Sequence, residues 1–349
     1  MARFLPVTVA EVARETRDAV RVTLAPRSED ADAFRFRAGQ YLTLRRDADG
    51  PRRSYSICEG EGGALRVGIK RVAGGAFSAW ANEAMAPGDV LEALPPQGRF
   101  TMDLAPEAAR HHLMIAAGSG ITPILSHLRT VLAAEPRARV TLLYGNRTAG
   151  SAMFREALED LKNENLGRLS VVHVLSRGAG EVPLFQGRID AAKLAALGER
   201  LVDLASVDLA WLCGPEAMTR DLVAALRGHG LPEGAIRYEL FGAARPAAAP
   251  PPPAPDAAGG RAVITLDGLD HEVPVAPGQT VLEAARAAEL DVPFACLAGV
   301  CSTCVARVTE GAGEMRANDA LEDDAVRDGF VLTCQCLPTT DRIAVTYDH

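Results

Sequence analysis

The sequence contains no apolar run near the roughly 18 residues that a membrane-spanning helix requires. Its first stretch, MARFLPVTVAEVARETRDAV, is charged throughout and lacks the apolar core and small-residue cleavage site of a secretory leader. Both absences lead to the expectation of a cytoplasmic protein with no membrane partner, in a compartment where thiols stay reduced. Seven cysteines, an odd number with five between positions 296 and 336, disfavour a disulfide framework. A basic surplus is missing too. The chain carries 45 acidic against 37 basic residues, a formal net charge of −8, which argues against a nucleic-acid partner. No internal repeat is visible.

The negative charge is unevenly spread. Residues 261–349 hold 15 Asp and Glu against 6 Arg, a local −9, which leaves +1 for residues 1–260. An acidic C-terminal unit suits docking on a basic protein surface, although solubility alone would also favour it. At 349 residues the chain exceeds one ordinary core, so two or three domains are expected. The clearest boundary is PAAAPPPPAP, 246–255, six prolines and four alanines. Such a stretch cannot form a helix or central strand and reads as a semi-rigid tether. The linker is placed at 244–260.

Before the linker the texture changes once. Residues 1–105 read as short β segments broken by Gly, Pro and Asp, such as QYLTLRR, RRSYSIC and ALRVGIKRV; this predicts an antiparallel β-barrel. Residues 106–243 alternate buried strands (HHLMIAAG, RVTLLYG, LSVVHVLS, DLAWLCG) with amphipathic helices, the pattern of an α/β domain with a parallel sheet. Residues 261–349 give a hairpin, a short helix, a cysteine loop and a closing strand, a small α+β unit.

That loop, FACLAGVCSTC, carries Cys296, Cys301 and Cys304 at C-x4-C-x2-C spacing, and Cys334 follows after 29 further residues. A [2Fe–2S] cluster needs four thiolates converging on a small inorganic core, three from a loop and one from a separate segment. The small residues between them, Ala298, Gly299, Ser302 and Thr303, let backbone N–H groups approach the sulfurs. Zinc sites more often pair C-x2-C elements, and here there is one. The spacing therefore favours the cluster over zinc. With this motif the segment resembles a plant-type ferredoxin, a β-grasp fold, and the resemblance makes Cys334 rather than Cys336 the fourth ligand. Cys336 and Cys58 read as core residues.

Two further motifs lie in the barrel: RRSYS at 52–56, and the Gly-rich turn GGAFS at 74–78, which can offer N–H groups and a helix N-terminus to a diphosphate. Together they resemble the flavin-binding elements of the ferredoxin–NADP reductase superfamily. That resemblance implies FAD, with Arg53 on the pyrophosphate, Tyr55 stacked on the ring and Ser56 near its reactive nitrogen. Gly74, Gly75 and Ser78 would meet the phosphates, while Ser54, Phe77 and Lys70 would lie nearby. AAGSGITP at 116–123 lacks the third glycine of G-x-G-x-x-G and is weak as a dinucleotide fingerprint by itself. It resembles the superfamily's G-x-G-x-x-P loop, which would set Gly118, Gly120 and Pro123 against the nicotinamide diphosphate and Thr122 close to the flavin. CGPEAM at 213–218 would put Cys213, Gly214 and Pro215 beside the nicotinamide ring, and YELF at 238–241 would bring Glu239 and Phe241 to the flavin. The resemblance gives Ser56, Cys213 and Glu239 catalytic roles. Arg147, in LLYGNRT, stands where an acidic residue would bind a ribose 2′-hydroxyl and an arginine a 2′-phosphate. It favours NADPH, with NADH the other candidate. His111 and His112 match no motif and read as satisfied strand-edge residues.

The module order resembles the reductase components of bacterial oxygenases, and the motifs quoted, with FREALEDLK and GFVLTCQC, resemble most the reductases of phenylacetyl-CoA epoxidase complexes. The resemblance implies electron flow from NADPH through FAD and the cluster to an oxygenase component, here di-iron epoxidase subunits. A reductase for another aromatic, fatty-acid or alkane oxygenase would use the same modules. A redox sensor without turnover is the remaining alternative.

Overall fold

The computed structural model describes residues 3–48, 50–177, 182–241, 260–321 and 323–348. The segment expected as a linker, 244–260, lies outside the described residues except for its last residue.

Alternating apolar residues build the first sheet. In β1 (Leu5–Thr16), Leu5, Val7 and Val9 point inward, and in β2 (Ala19–Pro26), Val20, Val22 and Leu24 do the same. These strands pair antiparallel and join β3 (Tyr41–Arg45), β4 (Arg53–Ser56), β5 (Arg66–Lys70) and β6 (Val90–Ala93) in the order β4-β3-β6-β1-β2-β5. The two edges meet just beyond β4, where Ile57 bridges Val67 and Cys58 N–H donates to Arg66 C=O at 2.9 Å. Closing the ladder removes both exposed edges and makes the sheet a barrel. One helix, α1 (Ala76–Glu83), lies against β5.

The second sheet is all parallel: β7 (His111–Ala117), β8 (Arg139–Asn146), β9 (Leu169–Leu175), β10 (Leu209–Gly214) and β11 (Ile236–Leu240), ordered β11-β10-β7-β8-β9. Its crossovers carry α2 (Ile121–Ala134), α3 (Arg155–Glu164), α4 (Ala191–Gly198) and α5 (Glu216–Gly228). Helices on both faces bury nearly all of the central strands, which is why they read as continuous apolar runs. The chain order reverses between β7 and β10, so the crevice beyond their C-terminal ends is a topological switch point. One face of this sheet shares its apolar core with the barrel: Ala19 and Cys58 pack in the same cluster as Leu125, Leu128 and Trp211. Ser126 Oγ also donates to Glu59 C=O, and Arg129 pairs with the Glu59 carboxylate. Leu5–Pro51 and Tyr55–Phe241 accordingly form one compact unit.

The residues from 260 onward belong to a second unit. Its mixed sheet holds β12 (Gly260–Leu266), β13 (Leu269–Val275), β14 (Val305–Glu310), β16 (Phe330–Leu332) and β18 (Arg342–Thr346), in the order β13-β12-β18-β14-β16. A second small ladder pairs β15 (Gly313–Met315) with β17 (Cys336–Pro338). Helix α6 (Val281–Ala287) opens on a capping box between Thr280 and Glu283 and packs Val281, Leu282 and Ala285 into the core, while α7 (Asp323–Arg327) is one short turn beside β16. Parallel pairing of β12 with β18, flanked by antiparallel strands and crossed by α6, is the β-grasp arrangement expected from the sequence. Among the described residues no helix is long and apolar enough to cross a membrane.

Candidate functional site

Two Gly-rich turns in the first unit stand at the N-termini of helices. Gly74 adopts φ +73°, and a Cβ there would meet nothing within 4 Å, so this side of the turn is open. Gly75 caps α1 without a side chain on the helix N–H groups, which leaves the positive end of the helix free for an anion. Ser78 donates its proton to Gly75 C=O and accepts from Val72 N–H, both at 3.1 Å. In this conformation its hydroxyl shapes the turn from within. Phe77 is buried beneath it, and the half-buried Tyr55 ring packs on Phe77 at 5.6 Å. Arg53 lies exposed on β4, and Ser54 is half-buried. Lys70, at the end of β5, reaches Ser151 C=O at 3.4 Å and Asp18 at 3.7 Å.

The second turn, Gly118–Gly120, links β7 to α2. Gly118 has φ +55°, and its carbonyl accepts from the Tyr144 hydroxyl at 3.1 Å. Gly120 approaches the CGP segment so closely that a Cβ would stand 2.2 Å from Cys213 C=O. Thr122 Oγ1 donates to Ser119 C=O at 2.9 Å, and its methyl lies against β5 where Gly68 leaves room. Pro123 sits buried in the first turn of α2, where a missing N–H costs nothing.

Strand register brings the catalytic candidates together. Cys213 on β10 stands opposite Ala116 of β7 and Glu239 of β11. Glu239 Oε2 accepts from Ser56 Oγ of the barrel at 3.3 Å. Although Glu239 keeps some surface as a residue, its carboxyl lies deep, and burial pushes it up to about 8 despite the Ser56 hydrogen bond. Burial and then the Glu239 charge push the Cys213 thiol well above its ordinary value, so it stays protonated. Gly214 is buried, Pro215 starts α5 from an exposed position, and Phe241 N–H donates to Gly214 C=O at 3.2 Å.

Arg147 is exposed beyond β8, and its carbonyl accepts from Arg177 N–H, beyond β9, at 2.8 Å. Arg177 was not foreseen from the sequence; the signal is that two parallel neighbours are each followed within two residues by an arginine. Gly68 and Tyr144 were missed as well, though a glycine inside a strand already marks a close backbone approach.

In the second unit residues 291–304 form neither helix nor strand. Leu297 (φ 58°), Gly299 (φ 79°) and Ser302 (φ 50°) are left-handed, and such alternation turns successive N–H groups to one side. Cys296 Sγ accepts from the N–H groups of Ala298, Val300 and Cys301, Cys301 from Thr303, and Cys334 from Gly299. The four thiols stand as two hydrogen-bonded pairs, Cys296 with Cys301 and Cys304 with Cys334. Among the described residues no three thiol, imidazole or carboxyl groups converge as a mononuclear metal site would need. Two pairs in a cradle of N–H donors fit a binuclear cluster. None of the seven cysteines forms a disulfide, and Cys58 and Cys336 are core residues. His111 and His112 are buried and satisfied, the former by Ser206 and Thr141, the latter by Glu135 and Trp211.

Residues 114–224 match the oxidoreductase NAD-binding domain family, and residues 264–339 match the 2Fe–2S iron–sulfur cluster binding domain family. The chain is 40% identical to one of the subunits of 1,2-phenylacetyl-CoA epoxidase from Escherichia coli (strain K12), over 100% of this chain and 99% of that protein. It is 33% identical to the ferredoxin reductase component of 3-ketosteroid-9-alpha-monooxygenase from Rhodococcus rhodochrous, over 99% and 97%. Among solved structures, phthalate dioxygenase reductase shares the fold (TM-score 0.59, 24% identity, 98% of each chain). So does a type IV self-sufficient cytochrome P450 monooxygenase (TM-score 0.72, 22% identity), over 98% of this chain and 41% of that one. With an NAD-binding sheet beside a barrel suited to FAD and a thiol cradle suited to a [2Fe–2S] cluster, the chain belongs to the family of ferredoxin reductase components of oxygenases, NAD(P)H-dependent oxidoreductases that deliver electrons.

Proposed function

We propose that this chain is a cytoplasmic NADPH-dependent reductase serving the di-iron oxygenase subunits of a phenylacetyl-CoA epoxidase. The full-length 40% identity to a protein of such an epoxidase supports the partner. The donor side rests on the meeting of Ser56, Cys213 and Glu239 at the ends of strands from two sheets. Bound FAD supplies hydride acceptance and one-electron release, and the cluster one-electron transfer. The rest is done by side chains and backbone of this chain.

The Gly74–Gly75 turn and the N-terminus of α1 hold the FAD diphosphate, with Arg53 adding charge and Ser54 and Lys70 bordering the site. Tyr55, backed by Phe77, offers a flat face to the ring. Glu239 holds its proton at neutral pH, so together with Ser56 it would set hydrogen-bonding groups rather than a charge at the flavin edge. Cys213 and Gly214 define the floor on which the nicotinamide lies, Phe241 closes its side, and Pro215 directs α5 away. Gly118, Gly120, Thr122 and Pro123 form the nucleotide turn at the switch point. Arg147 and Arg177 together take the 2′-phosphate. Cys296 with Cys301, and Cys304 with Cys334, hold the two irons.

Steady-state turnover with NADPH and NADH tests the donor: Arg147→Ala and Arg177→Ala should each lower the NADPH preference about tenfold, the scale of one charge-assisted contact. An unchanged preference in both variants would overturn it. Reconstitution with the epoxidase subunits and phenylacetyl-CoA tests the partner. NADPH reduction of an artificial acceptor without any epoxide formation would point to another oxygenase.

A further inference from the structure

The two cysteine pairs are built differently. Cys296 and Cys301 belong to one loop, whereas Cys304 and Cys334 come from segments 30 residues apart and need something to fix their separation. That tie runs through Thr333, the residue before Cys334. Thr333 N–H donates to Cys304 C=O at 3.1 Å, and Thr333 Oγ1 donates to the same oxygen at 2.8 Å. Tyr347 Oη stands 2.8 Å from Thr333 Oγ1. A threonine hydroxyl has one proton. With that proton on the Cys304 carbonyl, Thr333 Oγ1 must accept, so Tyr347 is the donor and starts a directed chain from Tyr347 through Thr333 to Cys304. All three residues are buried, Thr333 completely, so water does not substitute for any of the links. Backbone bonds anchor both ends of the brace: Leu282 N–H donates to Thr333 C=O at 3.0 Å and Tyr347 N–H to Thr265 C=O at 3.1 Å.

We propose that Tyr347 is a positioning residue for the iron–sulfur cluster: through Thr333 it polarises the Cys304 carbonyl, fixes the Cys304–Cys334 pair and raises the reduction potential. The proposal rests on Cys304 and Cys334 being cluster ligands. Donors that draw electron density from a ligating residue favour the more negative, reduced state, and outer hydrogen bonds of this kind tune potential. Removing the phenolic hydroxyl therefore makes the cluster harder to reduce.

The test uses the full chain with its cofactors. Iron content and the electron paramagnetic resonance signal of the reduced unaltered protein report the ligand assignment separately; absence of a [2Fe–2S] signal there would overturn both claims. Tyr347→Phe is expected to lower the reduced-to-oxidised ratio at a fixed potential about threefold, a shift of about 30 mV to more negative potential, with altered signal anisotropy. Thr333→Val should shift the same way, Thr333→Ser should restore the native value, and the double variant should add little to Thr333→Val. A Tyr347→Phe protein that melts earlier yet keeps the native potential and signal would show mere core filling and overturn the proposal. If that variant loses its iron, 3-fluorotyrosine placed at position 347, a stronger donor of nearly the same shape, is read instead. A shift to more positive potential supports the proposal, and an unshifted potential overturns it.

Discussion

The donor end and the cluster end of this reductase are constructed by opposite means. Around Ser56, Cys213 and Glu239 the candidate groups stand at strand ends or in first helical turns, and Gly120 lies almost in contact with the Cys213 carbonyl. Around the cysteines the backbone of residues 291–304 is irregular and carries three left-handed residues, two of them non-glycine. Each such non-glycine residue costs on the order of 1 kcal/mol or more. The first site is a property of a packed sheet. In the second, the strain of the loop is held by hydrogen bonds from its own N–H groups to Cys296 and Cys334.

The largest effect that would break this contrast concerns the cluster. Cys301→Ser should abolish the visible absorption of the [2Fe–2S] cluster and lower the melting temperature of the C-terminal unit, while leaving the transition of the first unit in place. Calorimetry that showed both transitions moving together would show that the units are not independent. Next comes Glu239→Gln, which should slow NADPH-driven flavin reduction by about tenfold, the scale of one lost positioning hydrogen bond. Glu239 is raised to about 8 from an ordinary 4.5, so the folded state holds a proton the unfolded chain lacks between those values. Its contribution to stability is complete below pH 4.5 and is lost as pH rises through about 8. Stopped-flow rates and melting curves against pH should both flatten in the variant.

A smaller change sharpens the comparison within the first unit. Gly120→Ala forces a Cβ onto backbone and should cost about 3 kcal/mol or more. Gly74→Ala, left-handed but open, should cost only about 1 kcal/mol, measured by denaturant titration. The least effect at neutral pH belongs to His127, fully buried between Phe100 and Trp211 with ring centroids 4.8 and 4.7 Å away. Burial lowers it to about 3 from 6.5, so its contribution is present above pH 6.5 and is lost as pH falls toward 3. His127→Phe should leave the melting temperature near neutral pH almost unchanged and flatten the acid limb of the first unit.

Much of this was legible in the sequence because the informative signals were local. C-x4-C-x2-C is a statement about one loop, and the change from short strands to alternating strands and helices is a statement about one stretch of chain. What escaped was long-range pairing. Ser56 and Glu239 are 183 positions apart, and their contact depends on the barrel and the parallel sheet sharing a core, which no window reveals. The hydrogen bonds of Ser78 to Gly75 and Val72 likewise follow from the path of the turn and not from its composition. Tyr347 stands in a plain closing strand, and its hydrogen bond to Thr333 follows only from sheet register.

The shared core bears on how such chains can be recombined. Ala19 and Cys58 of the barrel pack among side chains of α2 and β10, so parting the molecule near residue 105 would bare an apolar face to water. The barrel and the parallel sheet can therefore be exchanged between such chains only together, as one inherited block.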